Sequence, residues 1–307
     1  VVDGFVSVVV PTRNRAEKLR VCLESLLAQN FPADRYEIVV VDDGSTDGTI
    51  ETALALAASG GPVPLVVVTQ SARGAGAARN VGLAVATGDP VCFIDDDTDV
   101  PPEWLPAMVQ GFERYPGADA YAGRVRVRVE KRGWKPCPQH PLAATLNAGT
   151  ADRTLLTAVG ANMAVRRSAV DKVGVFDDWI VGAEDTEWFD RLRHAGGTVM
   201  YIGEAGVWHR RDARDVRVVR LVRSEFRRGI ASCTYFLRIG RRDPRPALRA
   251  ARWLLGMAAK ERCRGALAGA ARQAGYAYGL RRQRRAAPPP PNVWVTRPEQ
   301  TWTVVSR

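Results

Sequence analysis

The sequence is poor in the residues that build most metal and redox centres. Its 307 residues include three histidines and five cysteines. No two cysteines form a C-x-x-C pair, which excludes a zinc ribbon or a dithiol redox motif and fits isolated thiols in a reducing compartment. Cys137 and His140 share the stretch PCPQHP, but no second ligand pair accompanies them, and the prolines read as a rigid loop. No apolar run approaches the roughly 18–20 residues that cross a bilayer. The opening VVDGFVSVVV has no basic region and no small-residue cleavage site, so it reads as a first strand rather than a signal peptide. A cytoplasmic protein is expected. GAGAARN, residues 74–80, has Arg79 where a dinucleotide fingerprint needs its third glycine, so that fingerprint fails. Aromatics make up 7% of the chain and are sparse among its basic residues, and no recognition module is visible, so no nucleic-acid partner is expected.

Acid and base are unevenly distributed. The net charge is +11, yet residues 1–209 hold 20 Lys and Arg against 27 Asp and Glu. Residues 210–285 hold 22 against 5, a net of +17. The basic character therefore belongs to one segment.

Strand-like and helix-like stretches alternate through the first hundred residues. FVSVVVP, YEIVVV, PLVVVTQ and PVCFI are short apolar runs. Between them, TRNRAEKLRVCLESLLAQ, STDGTIETALALAA and GAGAARNVGLAVA have helical spacing. Continuous Val/Ile runs suggest strands buried on both faces, hence an α/β fold with a mostly parallel sheet between helix layers. In such sheets the ligand site lies at the carboxyl ends of the strands. Thr12-Arg13-Asn14, Asp42-Asp43 and Asp95-Asp96-Asp97 all fall at such ends. A helix over PPEWLPAMVQGFERY and a strand over DAYAGRVRVRVE follow, and the pattern across 124–155 is loop-like. Beyond 214 the period is helical again, with Val219, Val222, Phe226, Ile230 and Cys233 on one stripe and Arg217, Arg220 and Arg227 on another. AAPPPP then reads as a linker to a tail of strand-like composition.

The stretch VCFIDDDTDV concentrates Asp95, Asp96, Asp97 and Asp99 at the end of a buried strand. Carboxylates this close repel one another. They hold a hard divalent cation, grip ribose hydroxyls, or form a solvated acidic loop.

In order along residues 5–210 stand VSVVVPTRNR, EIVVVDDGSTDGT, GAGAARNVGLAVATGD, FIDDDTDVPPEWL, VGANMAVRRSAVDKVGVFDD, GAEDTEWFDRLRHAGG and VWH. This series resembles the family 2 inverting glycosyltransferases of GT-A fold. The resemblance implies a Rossmann-like domain over 1–210, with a nucleotide-binding half (1–100) and an acceptor-side half (101–210). A basic helical region (211–285) and a Pro-rich linker and tail (286–307) would follow. It implies a nucleoside-diphosphate sugar donor, linked to UDP, dTDP or GDP, and Mn²⁺ or Mg²⁺. Asp97, Asp95 and His209 would be the metal ligands, with Asp95 or Asp96 reaching the metal or the ribose. Pro11, Thr12, Arg13, Asp42 and Asp43 would line the nucleoside pocket, and Arg73 and Arg79 would face the diphosphate. Asp185 would be the general base. Asn162, Trp104, Glu184 and Trp188 would sit on the sugar and acceptor side.

The acceptor stays open: a small molecule, a glycan, a peptide or a lipid-linked compound. The basic segment 211–285 fits an anionic membrane surface at the inner face, an acidic acceptor or a solvated face. A sugar-phosphate nucleotidyltransferase on a related fold is the alternative chemistry, disfavoured because PTRNR, not a glycine-rich loop with lysine, follows the first strand.

Overall fold

A computed structural model describes residues 4–130, 145–180, 182–238, 243–261, 264–283 and 302–306. Cys137 and His140 lie outside the described residues. The first part runs β1 (Val6–Thr12), α1 (Ala16–Leu27), β2 (Tyr36–Asp43), α2 (Thr49–Ala58), β3 (Leu65–Gln70), α3 (Ala75–Val85) and β4 (Val91–Ile94). The middle part runs β5 (Thr98–Asp99), α4 (Trp104–Arg114), β6 (Ala120–Glu130), β7 (Arg153–Leu155), β8 (Asn162–Val165), α5 (Arg167–Val173), α6 (Glu184–His194) and β9 (Val199–Asp212). Three helices, α7 (Val218–Arg238), α8 (Arg245–Glu261) and α9 (Arg264–Gln283), precede a last strand, β10 (Trp302–Ser306).

One sheet carries the fold, in the order β10-β3-β2-β1-β4-β8-β6-β9-β5, with β7 beside β9. Its β3-β2-β1-β4 section is parallel, as the continuous Val/Ile runs require. Beyond β4 the sheet is mixed: β8 is antiparallel to β4 and β6, and β6 is parallel to β9. All eight β2 residues are buried. Val8, Val10, Ile38 and Val40 meet Leu19, Leu23 and Leu26 of α1 on one face. Val9, Val39 and Val41 meet Ala78 and Val81 of α3 on the other. The chain reverses direction across the sheet between β1 and β4, so the β1 and β4 ends flank a crevice where such folds bind ligands.

The strand read over DAYAGRVRVRVE is β6, which runs to Glu130 in register with β9, so the overlapping loop-like reading fails over 124–130. In the tail of strand-like composition, residues 302–306 form β10 and pair antiparallel with β3.

The C-terminal helices form a layer of their own against the sheet domain. Val216, Leu221 and Ala268 pack on Val127 and Val129 of β6, and Tyr235 packs on Ile180 and Ala183 before α6. Of the apolar stripe read from the sequence, Val219 is 71% exposed whereas Cys233 is buried. Glycines permit α7 and α9 to cross closely. A Cβ on Gly275 would stand 2.0 Å from the Phe226 carbonyl oxygen, and one on Gly229 2.0 Å from that of Arg272. Gly275→Leu should therefore push α7 and α9 apart, at a cost of about 1–3 kcal/mol. Limited proteolysis should then cut within 211–283 while the sheet domain survives; an unchanged digestion pattern would show that the crossing is not close.

Candidate active site

The aspartates sit on a tight turn. The Asp95 carbonyl accepts hydrogen bonds from Thr98 N (3.1 Å) and Thr98 Oγ1 (2.8 Å). This reverses the chain into β5, whose short pairing with β9 sets Thr98 opposite His209. Arg210 N donates to the Asp97 carbonyl at 2.8 Å. Two residues of strand thus clip residue 97 to residue 209. The outcome is a 2.6 Å contact between His209 Nε2 and Asp97 Oδ1, with both side chains buried. Among the described residues, Asp95, Asp97 and His209 each offer a ligand atom, all within 4.8 Å of one another.

Cations offset the crowding. Arg15 Nη1 lies 2.7 Å from Asp96 Oδ1 and 2.9 Å from Asp97 Oδ2. Arg211 Nη1 is 3.7 Å from Asp97 Oδ2. Thr12 Oγ1 donates to Asp96 Oδ2 at 2.8 Å, across the crevice between β1 and β4. Burial pushes the Asp96 carboxyl up to about 6 against the pull of Arg15, and the Asp97 charge pushes the same way. Burial also works to raise Asp97, but His209, Arg15 and Arg211 outweigh it and hold Asp97 well below the usual carboxylate range. Asp97 therefore keeps its charge to lower pH than Asp96 does. Neither Asp97 oxygen receives a well-aligned hydrogen bond despite the close cations. Arg15, Arg211 and Gln70 were not singled out from sequence; the RNR of PTRNR and the HRR after VW were the available signals.

On the neighbouring strands, register sets Thr12 opposite Asp42 and Gln70 opposite Asp43. Asp43 Oδ1 accepts from Gln70 Nε2 and Arg73 N, both at 2.7 Å, and Oδ2 accepts from Gly74 N at 2.9 Å. Exposed Arg13 is 3.9 Å from Asp43 Oδ2. Asp42 Oδ2 caps the following turn through Ser45 N at 3.0 Å, and its buried Oδ1 has no hydrogen-bond partner. Pro11 is half-buried beside Val41.

The third wall is the start of α6. Asp185 is half-buried there and accepts from Gly160 N (2.9 Å) and Thr186 N (2.7 Å). Buried Arg79 bridges α6 to β4: Nη1 reaches Glu184 Oε1 at 2.7 Å and Nη2 reaches Asp95 Oδ1 at 3.2 Å. Burial raises the Glu184 carboxyl, with Arg79 opposing. Gly160 must lack a side chain, since a Cβ there would lie 2.4 Å from Arg79 Nη2.

Comparison with known proteins fits this geometry. The profile of glycosyl transferase family 2 matches residues 7–174, and that of glycosyl transferase family group 2 matches residues 91–286. The first of these spans more than half the chain. The chain belongs to glycosyltransferase family 2. Among its relatives is the glycosyltransferase AglE of Haloferax volcanii, 28% identical over 64% of this chain and 64% of that protein. The pre-mycofactocin glycosyltransferase of Mycobacterium tuberculosis is 31% identical over 66% of this chain and 42% of that protein. The chain spans less than two thirds of the length of these curated relatives. In fold it is similar to a mannosyltransferase from Pyrobaculum calidifontis solved with GDP-Man and Mn²⁺ (TM-score 0.63, 20% identity, covering 91% of this chain and 86% of that one). It is also similar to residues 1–349 of TarS from S. aureus (TM-score 0.54, 18% identity, 92% of each chain). The family match sets aside the nucleotidyltransferase alternative.

Several side chains expected to face substrate in this family 2 protein are committed elsewhere. Trp104 and Trp188 are fully buried, so neither ring is open to a sugar. Trp104 Nε1 donates to Asn162 Oδ1 at 2.9 Å, and Asn162 Nδ2 donates to the Ala205 carbonyl at 2.8 Å. Trp188 Nε1 donates to the Gly174 carbonyl at 2.8 Å. These three residues fasten the core rather than line a cleft. Arg73 points its guanidinium at buried Asp178, 2.6 Å away, and both ends of Arg79 are taken, so neither offers an open fork to a diphosphate. Arg15 and Arg211 are the cations that reach the aspartates instead.

Two carboxylates and an imidazole suit Mn²⁺ or Mg²⁺, and the cations already drawn to buried Asp97 show that its site favours positive charge. Mn²⁺ at a hundredfold excess over its dissociation constant should stabilise the protein by about 2.7 kcal/mol. A thermal melt of His209→Ala should lose most of that gain; an undiminished gain would remove His209 from the ligand set.

Proposed function

We propose that this protein is an inverting transferase, moving a sugar from a nucleoside-diphosphate sugar to an acceptor nucleophile with Asp185 as general base. The observation that carries this reading is the convergence of Asp95, Asp97 and His209 at the β4 end, joined through Arg79 to the helix start that bears Asp185. Asp95, Asp97 and His209 would hold Mn²⁺ or Mg²⁺, which when bound stabilises negative charge on a leaving diphosphate. Arg15 and Arg211 add fixed positive charge at the same edge. Asp43 Oδ2, with one backbone partner, keeps an acceptor position for the imide of a base, a group common to uracil, thymine and guanine.

Inversion needs one displacement, and therefore a base that takes the acceptor's proton as the new bond forms. Asp185 Oδ1 accepts from Thr186 N and Thr186 Oγ1, while Oδ2 accepts only from Gly160 N and retains a second acceptor position. The Gly160 and Thr186 amides hold the carboxylate in a fixed orientation, as a general base requires. Glu184 cannot share the role, since Arg79 occupies it within the wall. The acceptor-side half and the helices over 211–285 would bound the acceptor. Asp185→Asn should lower transfer by about 10²–10⁴-fold. Calorimetry should find Mn²⁺-dependent binding of the matching UDP, dTDP or GDP unchanged; substantial residual transfer would refute the assignment.

A second reading, transfer at a membrane surface, is favoured by α8. Trp253 (61%) and Leu255 (50%) are exposed there beside exposed Arg249 and Arg252. Among the described residues no helix is long and apolar enough to cross a membrane, so contact would be peripheral. Trp253→Asp should weaken sedimentation with phosphatidylglycerol vesicles several-fold; equal binding would exclude α8 as the contact.

A further inference from the structure

The basic segment contains a shaped feature that the metal, nucleotide and base assignments do not use. Arg214, Arg217, Arg220, Arg223, Arg227 and Arg228 line an open trough of about 710 Å³ on the N-terminal half of α7. Arg217, Arg220, Arg223 and Arg227 recur every three or four residues and so stack on one helical stripe. Ten residues of helix carry that stripe over roughly 15 Å.

Acidic neighbours do not neutralise it. Asp215 pairs with Lys18 at 3.2 Å and stands 3.6 Å from Arg220. Glu225 pairs with Arg228 at 3.3 Å and also with Arg272. Among the described residues, Arg214, Arg217, Arg223 and Arg227 have no ion-pair partner. Burial disfavours the Arg228 cation, and although Glu225 opposes this, the charges of Arg211 and Arg272 add to it.

The trough leads to the aspartates. Arg220, Ser224 and Arg228 line it and also line the adjoining cleft, whose far wall is Arg211. Arg211 is the residue 3.7 Å from Asp97. A row of guanidinium forks therefore starts at the proposed metal site and runs outward along α7. Guanidinium forks match phosphate oxygens two by two, and several in line favour linked phosphates over a single carboxylate.

We propose that the α7 trough binds the phosphate or diphosphate group of the acceptor. The acceptor is then an anionic, phosphate-bearing compound, with its nucleophile held towards Asp185. This rests on the transferase reading and names its acceptor class.

The test uses inorganic pyrophosphate, titrated into the full chain by calorimetry without divalent cations. Arg217→Gln/Arg223→Gln/Arg227→Gln should weaken binding at least tenfold. Arg245→Gln/Arg281→Gln/Arg282→Gln removes the same charge from exposed positions elsewhere and should keep binding within twofold. Equal loss in both variants would reduce the effect to net charge and overturn the proposal, as would no loss in the first. Vesicles of phosphatidylglycerol, compared with phosphatidylcholine, identify the source of the phosphate. Sedimentation lost in the trough variant assigns a lipid headgroup, and sedimentation kept assigns a soluble phosphate compound. Mn²⁺-dependent nucleotide binding, measured in parallel, should be equal in all three proteins. Its absence from the wild type would count against the transferase reading and leave the pyrophosphate result standing on its own.

Discussion

Like-charge repulsion at the end of β4 is the constraint around which the rest of the site is arranged. Three consecutive carboxylates leave a fully buried strand, and two of them are themselves buried. Each draws a compensating group from a different part of the chain. Arg15 comes from the loop before α1, Arg79 from α3, His209 and Arg211 from β9. Removing charges from water is costly unless each is paired. The cluster therefore holds together elements that are far apart in sequence, and the crevice it closes on is the one the strand order creates.

The geometry also divides labour among the carboxylates. Asp96 is held by Arg15 and Thr12 and belongs to the wall. Asp97 keeps its charge but lacks aligned hydrogen bonds. Asp99 is turned outward onto Arg128 at 2.6 Å. With Asp95 held by Arg79, the four acids of one short run occupy four environments, separated by a turn and a two-residue strand.

Much of this was legible in the sequence, for physical reasons. Strands buried on both faces must be continuously apolar, so β1 to β4 stand out, and the polar residues at their ends mark the site edge. What could not be read depended on partners distant in the chain. Arg15 meets Asp96 across 81 positions. The side chains of Arg73 and Arg79 had the right chemistry for a diphosphate, but only the fold shows Asp178 and Glu184 taking them. Trp104 and Trp188 illustrate a second limit, because a tryptophan that packs and one that stacks on a sugar look alike in a string of letters. Strands as short as β5 have no periodicity to detect, yet β5 sets the position of His209.

The return of β10 to the sheet has a consequence for how copies of the chain behave towards each other. Without it, β3 would be an open edge of unpaired backbone groups, the kind of surface on which chains aggregate. Trp302 lies opposite Gln70 and Val304 opposite Val68, so the pairing reaches the strand end that holds Asp43. The same hydrogen bonds can be made by the tail of a second molecule. Whether β3 is covered from within or from outside is then a contest between the local concentration of its own tail and the concentration of protein in the tube. A tail lifted from β3 would leave the edge open at the nucleoside side of the sheet.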